Sequence, residues 1–223
     1  MFVDVDIFLF IILPFLIDFM FFKQVQQHGD NFSYVIADKD TGEAAVVDTS
    51  FNSGQIMQVL KKNGLFLKFV INTHGHSDHV AGNPELRSIL KAKIIAYKHS
   101  QVRFDIGVDD GDVIQLGKVL IKVIYTPGHT KDSISLLVEN TKLLTGDTLF
   151  VGECGRTDLP GGSSEEMYNS LFNKILKFSN DVQVYPGHDY GNTLFSTIGQ
   201  EKHSNYTLKP RSLEEFIQFM NEP

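Results

Sequence analysis

The chain is 223 residues long, 42% hydrophobic and 21% charged, which allows one sizeable core or at most two small ones. It carries 27 acids against 20 bases, a net charge of −7, and no Lys/Arg-rich block. A nucleic-acid footprint built on counterion release is therefore excluded. A lone cysteine, Cys154, excludes an internal disulfide framework and any multi-cysteine zinc site; it fits a reducing, cytoplasmic setting and is also compatible with export.

Residues 1–22 stand apart, with seven of the 18 phenylalanines and no lysine or arginine. The run Ile7–Ile17 is apolar, bounded by Asp6 and Asp18 and broken by Pro14. It is short for a spanning helix, which needs about 20 apolar residues, and it lacks the basic start and small-residue cleavage site of a secretory signal. Two readings stand: an artefact of start-site choice with Met20 as the true start, or a hydrophobic anchor, the only route to a membrane. The expected organisation is a leader over 1–22 and one domain over 23–223. Without the leader the net charge is −4.

From Lys23 onward, short β-like runs alternate with helical ones. Ser33–Asp38 and Ala44–Asp48 read as strands joined by the turn-rich Lys39-Asp40-Thr41-Gly42. Ser53–Asn63 reads as a helix, with Ile56, Val59 and Leu60 on one face and Gly64 as its stop. Leu67–Asn72 is apolar enough for a strand buried on both faces. Asn83-Pro84-Glu85 opens a helix through Leu90. Strands are expected at Lys93–Tyr97, Val113–Leu116, Val119–Tyr125, Ser133–Val138, Lys142–Thr145 and Val182–Tyr185. Ser164–Phe178 reads as a helix with Met167, Leu171, Ile175 and Phe178 on one buried stripe, and further helices fall near Ser196–His203 and Leu213–Met220. The order is neither a pure β run nor a strict βαβα series, so layered α/β sheets with helices outside are predicted.

The chemistry gathers at strand ends. Thr73-His74-Gly75-His76-Ser77-Asp78-His79 follows the strand Leu67–Asn72 and holds three of the eight histidines within six residues. His74 and His76, two apart in extended backbone, can approach one ion from the same side, and Asp78 and His79 then turn toward a second position. Imidazole and carboxylate suit zinc, iron or manganese. Three further ligand candidates follow strands in the same way: His129 in Thr126-Pro127-Gly128-His129, Asp147 in Thr145-Gly146-Asp147 and His188 in Tyr185-Pro186-Gly187-His188. Open α/β sheets place ligand sites at such edges, and the preceding glycine lets backbone pass close. His28, His99 and His203 lie outside these loops and read as surface or half-buried residues. Asp48, at a strand end, reads equally as an acid that orients a histidine or one that caps a helix.

These loops at these spacings resemble the metallo-β-lactamase fold superfamily over about residues 23–220. The resemblance implies an αβ/βα sandwich, four layers deep, with metals at the sheet edges. Carried over by position, His74, His76, His129 and Asp147 form a first metal site, and Asp78, His79, His188 and a shared Asp147 form a second. Gly146-Asp147-Thr148-Leu149-Phe150 and Cys154-Gly155-Arg156 are similar to the glyoxalase II thioester hydrolases. That resemblance implies Arg156 and Tyr190 as residues holding a glutathione moiety; for Arg156 the alternative is a structural salt bridge with Asp158. A full glyoxalase II carries a further C-terminal helical segment without a counterpart in these residues. Gly155-Arg156-Thr157-Asp158, His188-Asp189-Tyr190 and Ser196-Thr197-Ile198-Gly199-Gln200-Glu201-Lys202 look more like persulfide dioxygenases and short glyoxalase-like hydrolases. Asn205-Tyr206-Thr207 departs from the asparagine-proline pair found in relatives of both kinds.

The expectation is therefore an enzyme acting on a small, thiol-carried substrate. As a glyoxalase II-like hydrolase it would use two zinc-type ions, a bound water acidified to a pKa of roughly 7, Asp147 shared between the ions and Asp78 orienting the water. As a persulfide dioxygenase it would use one iron on His74, His129 and Asp147. A scaffold that catalyses nothing is the third class, and the full set of ligand-type residues argues against it.

Overall fold

The computed structural model of the chain describes residues 19–27 and 29–222. The apolar run Ile7–Ile17 and His28 lie outside the described residues. Among those described, no helix is long and apolar enough to cross a membrane.

Two six-stranded mixed sheets face each other. The first is built from β1 (Met20–Gln26), β2 (Phe32–Asp38), β3 (Glu43–Val47), β4 (Phe66–Ile71), β5 (Lys93–Tyr97) and β6 (Ile106–Val108), in that spatial order. Pairing is antiparallel through β3 and parallel from β3 to β6. The second comprises β7 (Val113–Leu116), β8 (Val119–Tyr125), β9 (Ile134–Val138), β10 (Lys142–Gly146), β11 (Gln183–Pro186) and β12 (Ser196–Thr197), antiparallel except where β10 runs parallel to β11. Helices α1 (Ser53–Lys62), α2 (Ser77–Val80) and α3 (Asn83–Leu90) belong to the first half of the chain; α4 (Ser164–Tyr168), α5 (Ile198–Ser204) and α6 (Leu213–Asn221) belong to the second.

Strand alternation makes the layers. Tyr34 and Ile36 of β2 join the core between the sheets, while Val35 and Ala37 join the core under Ile56 and Leu60 of α1 and Leu86 of α3. In β10, Leu144 faces the other sheet and Leu143 faces Met167, Leu171, Ile198 and Phe216 on the opposite flank. Three cores between four layers is the αβ/βα sandwich expected from the sequence.

Four elements differ from expectation. Met20, Phe21 and Phe22, read with the leader, pair with Asp38, Ala37 and Ile36, so the sheet starts three residues before Lys23. Ser164–Phe178 is not one α-helix: after α4 it widens into a π-turn over Asn169–Lys174 and tightens over Ile175–Lys177. Residues four apart drift about 40° per step around an α-helix, and the wider turn keeps Met167, Leu171 and Ile175 on one buried face. Ser196 and Thr197 extend the sheet instead of starting a helix, and the Thr197 side chain caps α5 by accepting from the Gln200 amide. The short β6 was not expected; it continues the parallel run beside β5.

Candidate metal centre

The seven candidate ligands converge where the two sheets meet. His74 and His76 leave the end of β4, and the single helical turn α2 brings Asp78 and His79 back toward them. His129 follows β8, Asp147 follows β10 and His188 follows β11. Because β10 and β11 are parallel neighbours, with Gly146 opposite Pro186, their following residues emerge side by side. The Gly187 amide bonds the Gly146 carbonyl, and the Ile134 amide bonds the Thr73 carbonyl across the sheets. A Cβ on Gly187 would stand 2.3 Å from Asp147 Oδ1, and one on Gly146 would stand 2.5 Å from Thr73 Oγ1. Glycine before each ligand is therefore a packing requirement at these positions.

Ligand atoms fall into overlapping groups: His74, His76 and His129; His74, His79 and Asp147; Asp78, His79 and His188. His76 Nδ1 lies 3.1 Å from His74 Nε2 and 2.9 Å from His129 Nε2. His79 Nε2 lies 3.1 Å from His188 Nε2, and Asp147 Oδ2 lies 3.2 Å from His188 Nε2 and 3.5 Å from His129 Nε2. Asp78 Oδ2 is 3.4 Å from His188 Nε2 and 3.5 Å from His79 Nε2. Neighbouring nitrogens on one tetrahedral ion, with bonds of about 2.1 Å, stand roughly 3.4 Å apart, so these separations are those of ligands around cations.

The outer hydrogen bonds decide which nitrogens are bare. His79 Nδ1 donates to Asp48 Oδ2 at 2.9 Å, His188 Nδ1 donates to Asp30 Oδ1 at 3.1 Å, and His129 Nδ1 donates to the Arg156 carbonyl at 2.8 Å. The Thr73 hydroxyl donates to Asp48 at 2.7 Å, which leaves its oxygen to accept from His74 Nδ1 at 3.1 Å. Four imidazoles are thus held with Nε2 unprotonated and turned inward, the tautomer a metal ligand needs. Asp147 Oδ1 is buried without a hydrogen-bond partner among the described residues. Facing lone pairs and an orphaned carboxylate oxygen both call for positive charge, so the residues present fit metal ions.

The electrostatics agree. Burial, reinforced by the neighbouring His79, holds His74 well below the ordinary imidazole pKa. Burial also opposes charge on His79, but Asp147 and Asp48 outweigh it and hold that pKa well above the ordinary value. Burial works against the Asp147 carboxylate too, yet His79, His188 and His74 keep it ionised, well below the carboxylate range. In the absence of a cation, protons on His79 and His188 would occupy the same cleft, so metal and proton compete.

Asp48 resolves as the orienting acid, not a helix cap: it also accepts from the Thr73 amide at 2.9 Å, and its φ is 52°. Asp30 and Asn31 were not singled out from the sequence. Asn31 Nδ2 donates to Asp78 Oδ2 at 3.1 Å. Their only local signal is a turn before β2, and their partners lie far along the chain. His99 and His203 are exposed and belong to no ligand group among the described residues.

Arg156 and Tyr190 flank the centre differently. The Arg156 guanidinium is exposed and grips Asp158 through two 2.6 Å bonds, the salt bridge that is the alternative to substrate binding. Its backbone carbonyl, not its side chain, fixes a ligand. Tyr190 is 49% exposed and lies flat on His188, with ring centroids 4.9 Å apart and planes 6° from parallel, its edge against Phe150. Burial first, then nearby carboxylates, push its hydroxyl up to about 12, so it remains a donor at neutral pH. Cys154 is packed against Met220, with its thiol pushed up to about 12 by burial.

The family model described as the metallo-beta-lactamase superfamily matches residues 28–105 and 100–188. The mitochondrial persulfide dioxygenase ETHE1 of Homo sapiens is 33% identical over 195 residues, covering 85% of this chain and 75% of that protein. The hydroxyacylglutathione hydrolase of Pelagibacter ubique is 34% identical over 195 residues, covering 85% and 80%. The crystal structure of ETHE1 from Myxococcus xanthus superposes with a TM-score of 0.86 at 32% identity, covering 91% of this chain and 92% of that one. Ligand loops, sandwich and relatives lead to one conclusion about descent: the chain belongs to the metallo-beta-lactamase superfamily, as one of its enzymes.

Proposed function

We propose that the protein is a metal-dependent hydrolase of glyoxalase II type, cleaving a thioester carried on a small thiol such as glutathione. The observation that carries this reading is the completeness of the second ligand group: Asp78, His79 and His188 are each held by their own partner, Asn31, Asp48 and Asp30. A second ion would use that scaffolding, although persulfide dioxygenases largely keep the same ligand-type residues, so metal content and not ligand identity separates the two readings. His74, His76 and His129 would hold one ion and Asp78, His79 and His188 a second, with Asp147 available to either. Zinc-type ions held by these residues would supply an acidified water, with a pKa of roughly 7, and a Lewis acid for the carbonyl. Asp78, fixed by Asn31, orients the attacking water, and Asp147 stays ionised between the two groups. A thiolate leaves without strong acid help, because its conjugate thiol has a pKa of about 8.5. The exposed Arg156–Asp158 pair is of a kind worth little in water, so Arg156 can exchange Asp158 for a carboxylate of the carrier. Tyr190, stacked on His188, supplies a hydroxyl donor beside that ligand.

A second reading has its own observation. The likeness to ETHE1 of Myxococcus xanthus extends over 92% of that chain, which favours a persulfide dioxygenase using one iron on His74, His129 and Asp147. Metal content of protein purified without added metal separates the two. Two zinc-type ions per chain, with hydrolysis of a glutathione thioester and no oxygen uptake, would uphold the hydrolase. One iron per chain, with oxygen consumed on addition of glutathione persulfide, would replace it with the dioxygenase.

A further inference from the structure

Away from the metal ligands, a cavity of about 490 Å³ opens between the start of α3 and the segment joining β5 to β6. Val80, Pro84 and Val102 give it apolar walls, and Gly75, the residue between His74 and His76, forms part of its lining. Two guanidinium groups line it as well, from Arg87 and Arg103. Arg87 is committed: it donates to Asp105 Oδ1 at 2.5 Å, while Asp105 Oδ2 accepts from the Ile94 amide at 2.9 Å. Arg103 is exposed and has no ion pair or hydrogen bond among the described residues. Asp132, whose Oδ2 lies behind Gly75, is taken up by the hydroxyls of Ser100 at 2.5 Å and Thr130 at 2.7 Å. Asp132 keeps its charge but is held behind Gly75 by neutral hydroxyls, so Arg103 is the one guanidinium at this apolar hollow without a partner among the described residues.

Pockets of a few hundred Å³, mostly apolar with a few placed polar groups, are the usual form of small-molecule sites, and an arginine fork selects carboxylates. We propose that this cavity binds a small organic monoanion with an apolar body, of which a medium-chain carboxylate is the simplest member. Arg103 holds the carboxylate, and Val80, Pro84 and Val102 cover the chain. The site is distinct from the metal centre, since none of the seven candidate ligands lines it. The two share the Gly75 backbone, and the Ser100–Asp132 bond ties the cavity wall to the loop that carries His129.

The test is calorimetric titration of octanoate into the full metal-loaded chain and into its Arg103→Glu and Arg103→Lys variants. Circular dichroism and metal content, expected to match the wild type, accompany each variant. One equivalent of octanoate should bind, at least tenfold more weakly to Arg103→Glu and by a smaller factor to Arg103→Lys, which keeps the charge but loses the fork. Octanamide, the same body without the charge, should bind at least tenfold more weakly than octanoate. Absence of octanoate binding would overturn the proposal. So would equal binding by Arg103→Glu, which would place the carboxylate on the metals, or equal binding of octanamide.

Discussion

Replacing Asp48 by asparagine tests the tautomer argument at its most exposed point. Asp48 accepts three hydrogen bonds, from the Thr73 amide, the Thr73 hydroxyl and His79 Nδ1. Asparagine keeps one oxygen, which the Thr73 amide claims because that amide can only donate. Its NH2 group then faces His79 Nδ1, which must become an acceptor, so the proton moves to Nε2 and the nitrogen turned toward His188 can no longer bind metal. The backbone φ of 52° at this position suits asparagine, so main-chain strain does not confuse the result. Loss of one hydrogen bond to a charged group costs about 1.5–3 kcal/mol. Loss of such a supporting partner lowers metal affinity about 10–100-fold, which is about 1.4–2.7 kcal/mol on the same scale. Titration of zinc against a competing chelator should show the equivalent bound through His79 weakened by that factor, and the His74–His76–His129 equivalent much less affected. Two equivalents at wild-type affinity in Asp48→Asn would refute the tautomer argument.

Four other outcomes are expected. Stripping metal with a chelator should lower the thermal midpoint by about 5–10 °C for each ion removed, relative to protein held at a hundred times Kd, read by differential scanning calorimetry. Gly187→Ala forces a Cβ to 2.3 Å from Asp147 Oδ1 and should cut turnover about a hundredfold, whereas Gly111→Ala, with open space around it, should cost only about 1 kcal/mol of stability in urea melts and leave turnover intact. Arg156→Ala should raise KM more than it lowers kcat; a pure kcat loss would move that side chain into the chemistry. Cys154, with its thiol at about 12, should react slowly with Ellman's reagent at pH 8 until denaturant is added, and immediate labelling would contradict its burial.

What could be read from the sequence follows the range of the interactions involved. The ligand loops announced themselves because each is local: a buried apolar strand, a glycine and a metal-type side chain within a few residues. The sandwich followed from alternation, as along β2, where odd and even residues enter different cores. β1 is hidden in the sequence because its first residues merge with the apolar leader, and the polar run Lys23-Gln24-Val25-Gln26 carries a strand pattern for an edge paired on one side only. The widened turn after Tyr168 is hidden because the residues that demand it, Leu171 and Ile175, read equally well on an ordinary helix.

The supporting partners were hidden for a different reason. Asp30 meets His188 across 158 residues of chain, Asn31 meets Asp78 across 47, and Asp48 meets His79 across 31. No window along the sequence holds both members of such a pair, so the ligands were legible and their orientation was not. That division also bears on what the centre can do. Ligand identity is shared by relatives with different chemistry, whereas the tautomer of each imidazole and the exposure of Arg156 and Tyr190 are set by contacts that only folding creates. The choice between hydrolysis and sulfur oxidation therefore lies in how many ions these oriented nitrogens hold, which is why metal stoichiometry discriminates better than any further comparison of ligand residues.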